Sequence, residues 1–535
     1  MITYFEKQTA AGSSVFARVV PILIIVMLVT LSIPRVAFAA GYKDAEKAIH
    51  HGEYERAVDI YRKLLEKDRR DMKARLGISY ALLKSGRFDL AYQQASQAVA
   101  IDPLNARAHA LFGTSLLRSG NFQVCVEEFK TALQFDPKEA LAIAGLSEVD
   151  FYENRRRDSY EKIKLATMLD PEEPDYYYEL GHIASRNEQY NEAANAYQQF
   201  LAIAPLKDQE RRERIRGLVQ FFRYIGTTKL MRPSGADDTT IPMVLQKYRP
   251  YVDVMINGQG PFKFVLDSGA SLPVISNETA KKLGLKTIAR GGYARAVGGT
   301  GSFEIVYGFI DTLQIGDVKV DAVPVFFRSL QYSSDEDPKQ RPAGYLGLSV
   351  LSGFLTTIDY KNQQLILKHN ALLAPLTDPS SEPGSIDIPL RSTNNGLVSA
   401  EARIEGQDPL SFIIDTGATA TALSQAVIDR TPSLQKRTEK RKITVVGAAG
   451  ITDNVNVMVL SEVSIANLVE KNLNAPILDF SPINETSGFE QSGILGGDFL
   501  FKFKMTFDLS QMVLRLKPTS TTVEVRQTGT PEPKP

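Results

Sequence analysis

The segment Phe264-Val265-Leu266-Asp267-Ser268-Gly269-Ala270 returns 148 positions later as Phe412-Ile413-Ile414-Asp415-Thr416-Gly417-Ala418. Two further landmarks follow in the same order, each at an offset of 149. Val297-Gly298-Gly299-Thr300-Gly301 corresponds to Val446-Gly447-Ala448-Ala449-Gly450, and Gly344-Tyr345-Leu346-Gly347 to Gly493-Ile494-Leu495-Gly496. Three landmarks in one order at nearly one spacing mean a tandem duplication. Short β-branched and aromatic runs punctuated by glycine make both copies all-β. The lobes are placed at 242–369 and 386–517. Pro375, Pro379, Pro383 and Gly384 mark a linker over 370–385, and the polar residues 518–535 read as a structureless tail.

An apolar strand that runs into Asp-Ser/Thr-Gly sets a carboxylate at the end of a buried strand, where glycine permits a tight turn and close approach of a neighbour. The hydroxyls of Ser268 and Thr416 can bond main-chain groups of the opposite loop. If the lobes pack about a pseudo-twofold axis, Asp267 and Asp415 come together. Two like charges at about 4 Å and an effective dielectric of about 20 repel by roughly 4 kcal/mol, so one proton must be shared. The ionised member can then deprotonate a held water while the protonated one polarises a carbonyl. Titration of such a pair is coupled, and sequence does not say which aspartate is the base. Gly298 and Gly299 in one lobe, and Gly447 and Gly450 in the other, read as hairpin tips able to close over an extended ligand.

Upstream, Asp102-Pro103, Asp136-Pro137, Asp170-Pro171 and Ala204-Pro205 fall at steps of 34 residues. In the same register stand the small residues Ala57, Ala91, Cys125, Ser159 and Ala193, the glycines 52, 86 and 120, and the large Tyr61, Phe129 and Tyr197. Small side chains suit a close helix crossing, glycine the turn, and proline the end of each second helix. This pattern resembles the tetratricopeptide repeat, in about five copies, the first and fourth matching least well. The array is placed at 40–230, with Lys207 to Ile225 as a cap helix turned to solvent. Such repeats resemble peptide-binding scaffolds, which implies recruitment of a protein partner; a spacer or self-association module fits the same residues.

At the N-terminus, Arg18 precedes an apolar run from Val19 to Ile33, and Ala37-Phe38-Ala39 has the small-x-small pattern of a signal-peptidase site. The run spans roughly 22 Å as a helix against a hydrocarbon core of roughly 30 Å. Residues 1–39 therefore read as a cleaved signal peptide or else a single-span membrane anchor, and the remainder is expected outside the cytoplasm, periplasmic or extracytoplasmic.

Lys plus Arg and Asp plus Glu both total 62 over 535 residues, so net charge points to neither nucleic acid nor an anionic membrane surface. The single cysteine, Cys125, excludes an intrachain disulfide, and the five histidines form no zinc pattern. No metal and no cofactor are expected. Cys125 sits at a small-residue position of the array, which makes it a buried, inert thiol. The run Gly298-Gly299-Thr300-Gly301 lacks the Lys-Ser/Thr of a phosphate loop, and no Gly-x-Ser-x-Gly is present.

The duplicated segment resembles the retropepsin and pepsin-like aspartic peptidases over nearly all of 242–517. Its carriers are Asp267-Ser268-Gly269 and Asp415-Thr416-Gly417, the glycine-rich segments, and Leu346-Gly347 with Leu495-Gly496. Lobes of about 125 residues resemble the short retropepsin type fused in one chain. The fold implied is thus multidomain: an all-α tetratricopeptide solenoid followed by two all-β retropepsin-like lobes. The activity implied is an exported aspartic endopeptidase with Asp267 and Asp415 catalytic, acting on a peptide or protein substrate. A non-catalytic peptide-binding scaffold is the alternative, and the dyad could form within one chain or between two copies. Asp359 and Asp508 also recur at offset 149, in Thr-Ile-Asp-Tyr and Thr-Phe-Asp-Leu, and read as turn formers. Lobe one has Ser349 where lobe two has Asp498.

Overall fold

A helical array from residue 40 to 225 is followed by two β-rich lobes. The computed structural model describes residues 40–299, 301–332, 340–370, 382–437 and 441–526. The signal or anchor segment 1–39, linker residues 371–381, Thr300 and tail residues 527–535 lie outside the described residues. Among those described, no helix is long and apolar enough to cross a membrane.

By internal contacts the chain divides between Pro103 and Leu104, inside the repeat array and not at its expected end near 230. The first unit holds α1 (40–50), α2 (Tyr54–Lys67), α3 (Met72–Lys84) and α4 (Phe88–Ile101). The second begins with α5 (Ala106–Arg118), α6 (Phe122–Phe135), α7 (Ala140–Tyr152), α8 (Arg156–Leu169), α9 (Pro174–Arg186), α10 (Tyr190–Ile203) and α11 (Gln209–Ile225). Ala57, Ala91, Cys125, Ser159 and Ala193 are all fully buried, as helix crossings at small residues require. The large residue of the register rests on glycine: a Cβ on Gly113 would stand 2.8 Å from the Phe129 ring, and one on Gly181 2.9 Å from Tyr197. Gly52, Gly86 and Gly120 hold φ of 71°, 73° and 79°. Over the next two repeats the same step lands on Asn154 (φ 61°) and then Glu188 (φ 59°), so the left-handed turn persists where glycine does not.

Each lobe is built on a nine-stranded sheet, counted among the described residues. In lobe one the strand Gln259–Leu266 lies between Arg249–Ile256, antiparallel, and Gly344–Leu346, parallel. In lobe two Leu410–Ile414 lies likewise between Val398–Ile404 and Gly493–Leu495. A six-stranded sheet joins the lobes through the antiparallel pair Phe354–Asp359 and Phe503–Asp508. Thr357 faces Thr506 across it with Oγ1 atoms 2.9 Å apart, at the centre of the pseudo-twofold relation. One apolar core, including Phe354, Ile358, Phe503 and Phe507, runs through both lobes. Asp359 and Asp508 are turn formers: Asp359 accepts from the Asn362 N–H (2.9 Å) and Asp508 from those of Ser510 and Gln511 (both 3.1 Å).

Three expected boundaries are corrected. Strands Arg232–Gly235 and Asp238–Pro242 already pair with Val318–Asp321 and Gln364–Lys368, so lobe one begins before residue 242. The tail is not structureless from 518. Pro518 ends a strand paired with Phe503, and Glu524–Val525 pairs with Leu468–Val469, held by a Lys471–Glu524 bridge of 2.8 Å. Finally, α11 does not close the array against water. Gly217 lets the Arg290 carbonyl approach to where a Cβ would be 2.5 Å away, and Phe221 stacks on Tyr307 at 4.7 Å. The cap helix therefore lies on the strand Thr287–Ala294 of lobe one.

Lobe two also meets the array. Phe489 is 2% exposed, edge-on to Phe122 at 4.9 Å and to Tyr152 at 5.0 Å. Arg118 donates to the Gly488 carbonyl at 2.7 Å while its own carbonyl accepts from the Glu490 N–H at 2.9 Å. Arg118 is held by Glu148, which also accepts from the Tyr152 hydroxyl at 3.0 Å. On α9, buried His182 packs on Phe151 at 4.7 Å, with Glu179 Oε2 4.0 Å from its Nδ1. Burial, with the Arg186 charge second, lowers its pKa from 6.5 to about 3.

Phe489→Ala should lower stability by about 3–5 kcal/mol in urea unfolding, because it empties a full aromatic site. His182 stays neutral when folded but protonates below about 6.5 when unfolded, so its contribution is lost as pH falls from about 6.5 toward 3. Relative to wild type, His182→Leu should gain about 2 kcal/mol between pH 8 and pH 5, read from urea midpoints at both pH values.

Candidate active site

Phe264, Val265 and Leu266, with Phe412, Ile413 and Ile414, are at most 1% exposed, so each aspartate leaves the end of a wholly buried strand. The neighbouring short strand fixes the departure point: Asp267 N–H donates to Leu346 O at 3.0 Å, and Asp415 N–H to Leu495 O at 3.1 Å. Gly493 is required because a Cβ there would stand 2.5 Å from the Ala422 carbonyl. The recurring Gly-x-Leu-Gly segments are thus the floor under both aspartates.

The two loops face each other within the chain. Ser268 N–H donates to Thr416 Oγ1 at 3.0 Å, and Thr416 N–H to Ser268 Oγ at 2.9 Å. The same hydroxyls donate onward, Ser268 to Ile414 O at 2.7 Å and Thr416 to Leu266 O at 2.8 Å. A Cβ on Gly269 would lie 2.5 Å from Asp415 Oδ2, and one on Gly417 would collide with Asp267. Only glycine allows the carboxylates this approach, which brings them within hydrogen-bond reach of each other.

Burial raises the pKa of both carboxyl groups. For Asp267, held well above the usual range, burial comes first and the charge and hydrogen bond of Asp415 add to it, against the Gly269 N–H and Arg328. For Asp415 the N–H groups of Ala418, Gly417 and Gly269 and the bond from Asp267 all oppose burial. Ala418 and Gly417 donate to its Oδ1 at 3.0 and 2.8 Å. The pair therefore holds one proton in common, and the surroundings push Asp267 up more strongly than Asp415.

The four hairpin glycines are also brought together. Gly298 and Gly299 follow the strand Thr287–Ala294; Gly447 and Gly450 join Lys442–Gly447 to Gly450–Ile465. Gly301 N–H donates to Ala449 O at 3.1 Å, and a Cβ on Gly299 would stand 2.6 Å from the Ala449 carbonyl carbon. The tips of the two lobes thus touch. A cavity of about 350 Å³ opens beside them, lined by Arg214, Tyr293, Arg295, Gly301 and Glu485, and it does not include the carboxylates.

Asp498 accepts from the Thr421 N–H (2.8 Å) and hydroxyl (2.7 Å), bracing the lobe-two loop, whereas the Ser349 hydroxyl is buried without a partner. Cys125 is fully buried, and burial pushes its thiol up to about 12. Among the described residues no cluster of His, Cys, Asp or Glu could hold a metal ion. Sequence reading missed Arg328, whose charge reaches Asp267. The signal for it was a cation ending the otherwise apolar run Val323-Pro324-Val325-Phe326-Phe327, where the second lobe has Leu478.

The family described as Aspartyl protease matches residues 252–350 and again 400–499, and tetratricopeptide repeat models match 48–113 and 174–205. Comparison with curated proteins finds no match. Similar solved structures include a thermophilic tetratricopeptide repeat protein of Thermus thermophilus, with 19% identity over 34% of this chain and 98% of the other and a TM-score of 0.30. Another is pilF of Pseudomonas aeruginosa, with 20% identity, 35% and 86% coverage and a TM-score of 0.26. MamA of Desulfovibrio magneticus has 18% identity, 31% and 93% coverage and a TM-score of 0.23.

Thr416→Val should cost about 1–3 kcal/mol in urea unfolding, since it leaves the buried Ser268 N–H without an acceptor. A raised carboxyl pKa means that the folded state keeps a proton the unfolded chain gives up above about 3.8, so the dyad lowers stability as pH rises. Asp267→Asn should therefore gain stability relative to wild type between pH 3 and pH 7, read from thermal midpoints.

Proposed function

We propose that this chain, a tetratricopeptide array joined to two tandem domains of aspartyl protease type, is an endopeptidase that hydrolyses peptide bonds with a water held between Asp267 and Asp415. The observation that carries this reading is the reciprocal bonding of Ser268 and Thr416, which leaves the two carboxyl groups within reach of one proton. Ionised Asp415 takes a proton from the water as its oxygen bonds the substrate carbonyl carbon, and Asp267 gives its proton to the carbonyl oxygen. Collapse of the tetrahedral species breaks the C–N bond, with the proton on Asp415 passing to the leaving nitrogen and the diol proton returning to Asp267. The hairpin tips at Gly298–Gly299 and Gly447–Gly450 act as the lid and must part for an extended substrate to enter.

Repeats three to five are engaged by the lobes, through Phe489 and through α11. Recruitment of a protein partner or substrate is assigned to the tetratricopeptide repeats. Arg18, the apolar run after it and Ala37-Phe38-Ala39 support export from the cytoplasm.

A mixed peptide library incubated with wild type should be cleaved, and Asp267→Asn or Asp415→Asn should each lower the rate by about 10²–10⁴. Because one proton is needed, kcat/KM should fall on the acid side as Asp415 protonates and on the alkaline side as Asp267 ionises. Cleavage unaffected by either substitution would remove the dyad, and cleavage by none of the three proteins would leave a peptide-binding scaffold.

A further inference from the structure

The lobes are alike at the dyad but differ beside it. In lobe one, Arg328 ends the strand Val318–Arg328 and pairs in register with Ser276. Its guanidinium lies over the Phe303 ring at 4.9 Å and the Tyr345 ring at 5.8 Å. Phe303 begins the descending strand of the lobe-one hairpin, and Tyr345 pairs with Val265, two residues before Asp267. Among the described residues its buried Nε has no hydrogen-bond partner, and the charges that bear on Arg328 are those of Tyr345 and Asp267. In lobe two the same registers hold Leu478 beside Ser424 and Ile494 beside Ile413. One wall next to the dyad is cationic and aromatic, and its counterpart is aliphatic.

A largely buried guanidinium that no carboxylate of the described residues bridges is costly unless something pairs with it. Stacking on two rings recovers part of that cost and fixes the planar group, leaving in-plane N–H donors for a ligand. The charged dyad alone would repel an acidic side chain, and Arg328 reverses that preference on one side of the scissile bond. Resting on the peptidase reading above, we propose that Arg328 is a specificity-determining residue that selects a substrate with an aspartate or glutamate side chain on the lobe-one side of the scissile bond, opposite an aliphatic side chain on the lobe-two side.

The test uses octapeptides with a central apolar residue, carrying Glu or isosteric Gln at either position flanking the scissile bond. Cleavage is followed as kcat/KM, and binding as Kd to the catalytically blocked Asp415→Asn protein. Wild type should prefer Glu over Gln by about tenfold or more at one of the two positions. That ratio should collapse toward one in Arg328→Gln and be partly kept in Arg328→Lys, which preserves charge without the planar fork. A purely structural Arg328 would shift the thermal midpoint and affect both peptides alike, leaving the ratio unmoved. A wild-type ratio near one at both positions overturns the proposal even if neither variant folds, as does an unchanged ratio in Arg328→Gln. Selective binding of the Glu peptide that depends on Arg328, without cleavage of any peptide, supports the subsite and removes the peptidase reading. Neither cleavage nor selective binding removes both.

Discussion

Two hydroxyl groups, on Ser268 and Thr416, each accept a main-chain N–H from the opposite loop and donate to a main-chain carbonyl there. Both are at most 2% exposed, so none of these four bonds has water as a substitute. Leaving a buried partner unmade costs about 1–3 kcal/mol, and the reciprocal pattern makes the loops keep or lose their bonds together. The glycine after each hydroxyl is a consequence of the same closeness, since a side chain there would occupy the opposite carboxyl group. Site chemistry follows from this latch: two carboxyl groups held so near and so largely out of solvent do not both ionise at ordinary carboxylate pKa values.

Around the latch the duplication is nearly symmetric, and Thr357 against Thr506 marks its centre in the joining sheet. The helices break that symmetry. α11 grips both strands of the lobe-one hairpin, the rising one through Gly217 and the descending one through Phe221 on Tyr307, whereas lobe two offers the array its loop around Phe489. The lobe-one hairpin is therefore packed against a helix of the array. Partition of the N–H donors, three near Asp415 against one bonded to Asp267, makes the dyad unequal as well.

Much of this is legible in the order of residues alone. The constant offset reveals two lobes, and the 34-residue step reveals the repeats, because both are periodic demands of packing. Legibility fails where a local rule is satisfied by another residue or by a distant partner. Asn154 and Glu188 adopt the turn that glycine marks elsewhere, so the last repeats look irregular only in sequence. Glu524 and Val525 lack any hydrophobic period of their own and are ordered by the edge of a strand far earlier in the chain, Leu468 against Val525 lying 57 positions apart. α11 has the charge of a solvent-facing cap, yet its apolar face is buried on lobe one.

Sequence by itself determined which residues form the dyad loops, the tips and the repeats, since strand alternation, glycine turns and helix crossings are set by neighbours along the chain. Tertiary structure alone decided that Asp267 and Asp415 meet within one chain, that their surroundings push the two carboxyl groups up unequally, that the cap helix packs on the hairpin, and that Arg328 stands beside the dyad. These depend on contacts between residues far apart along the chain, on burial, and on the count of donors around each oxygen. None of those quantities is local, so no pattern in the sequence could express them.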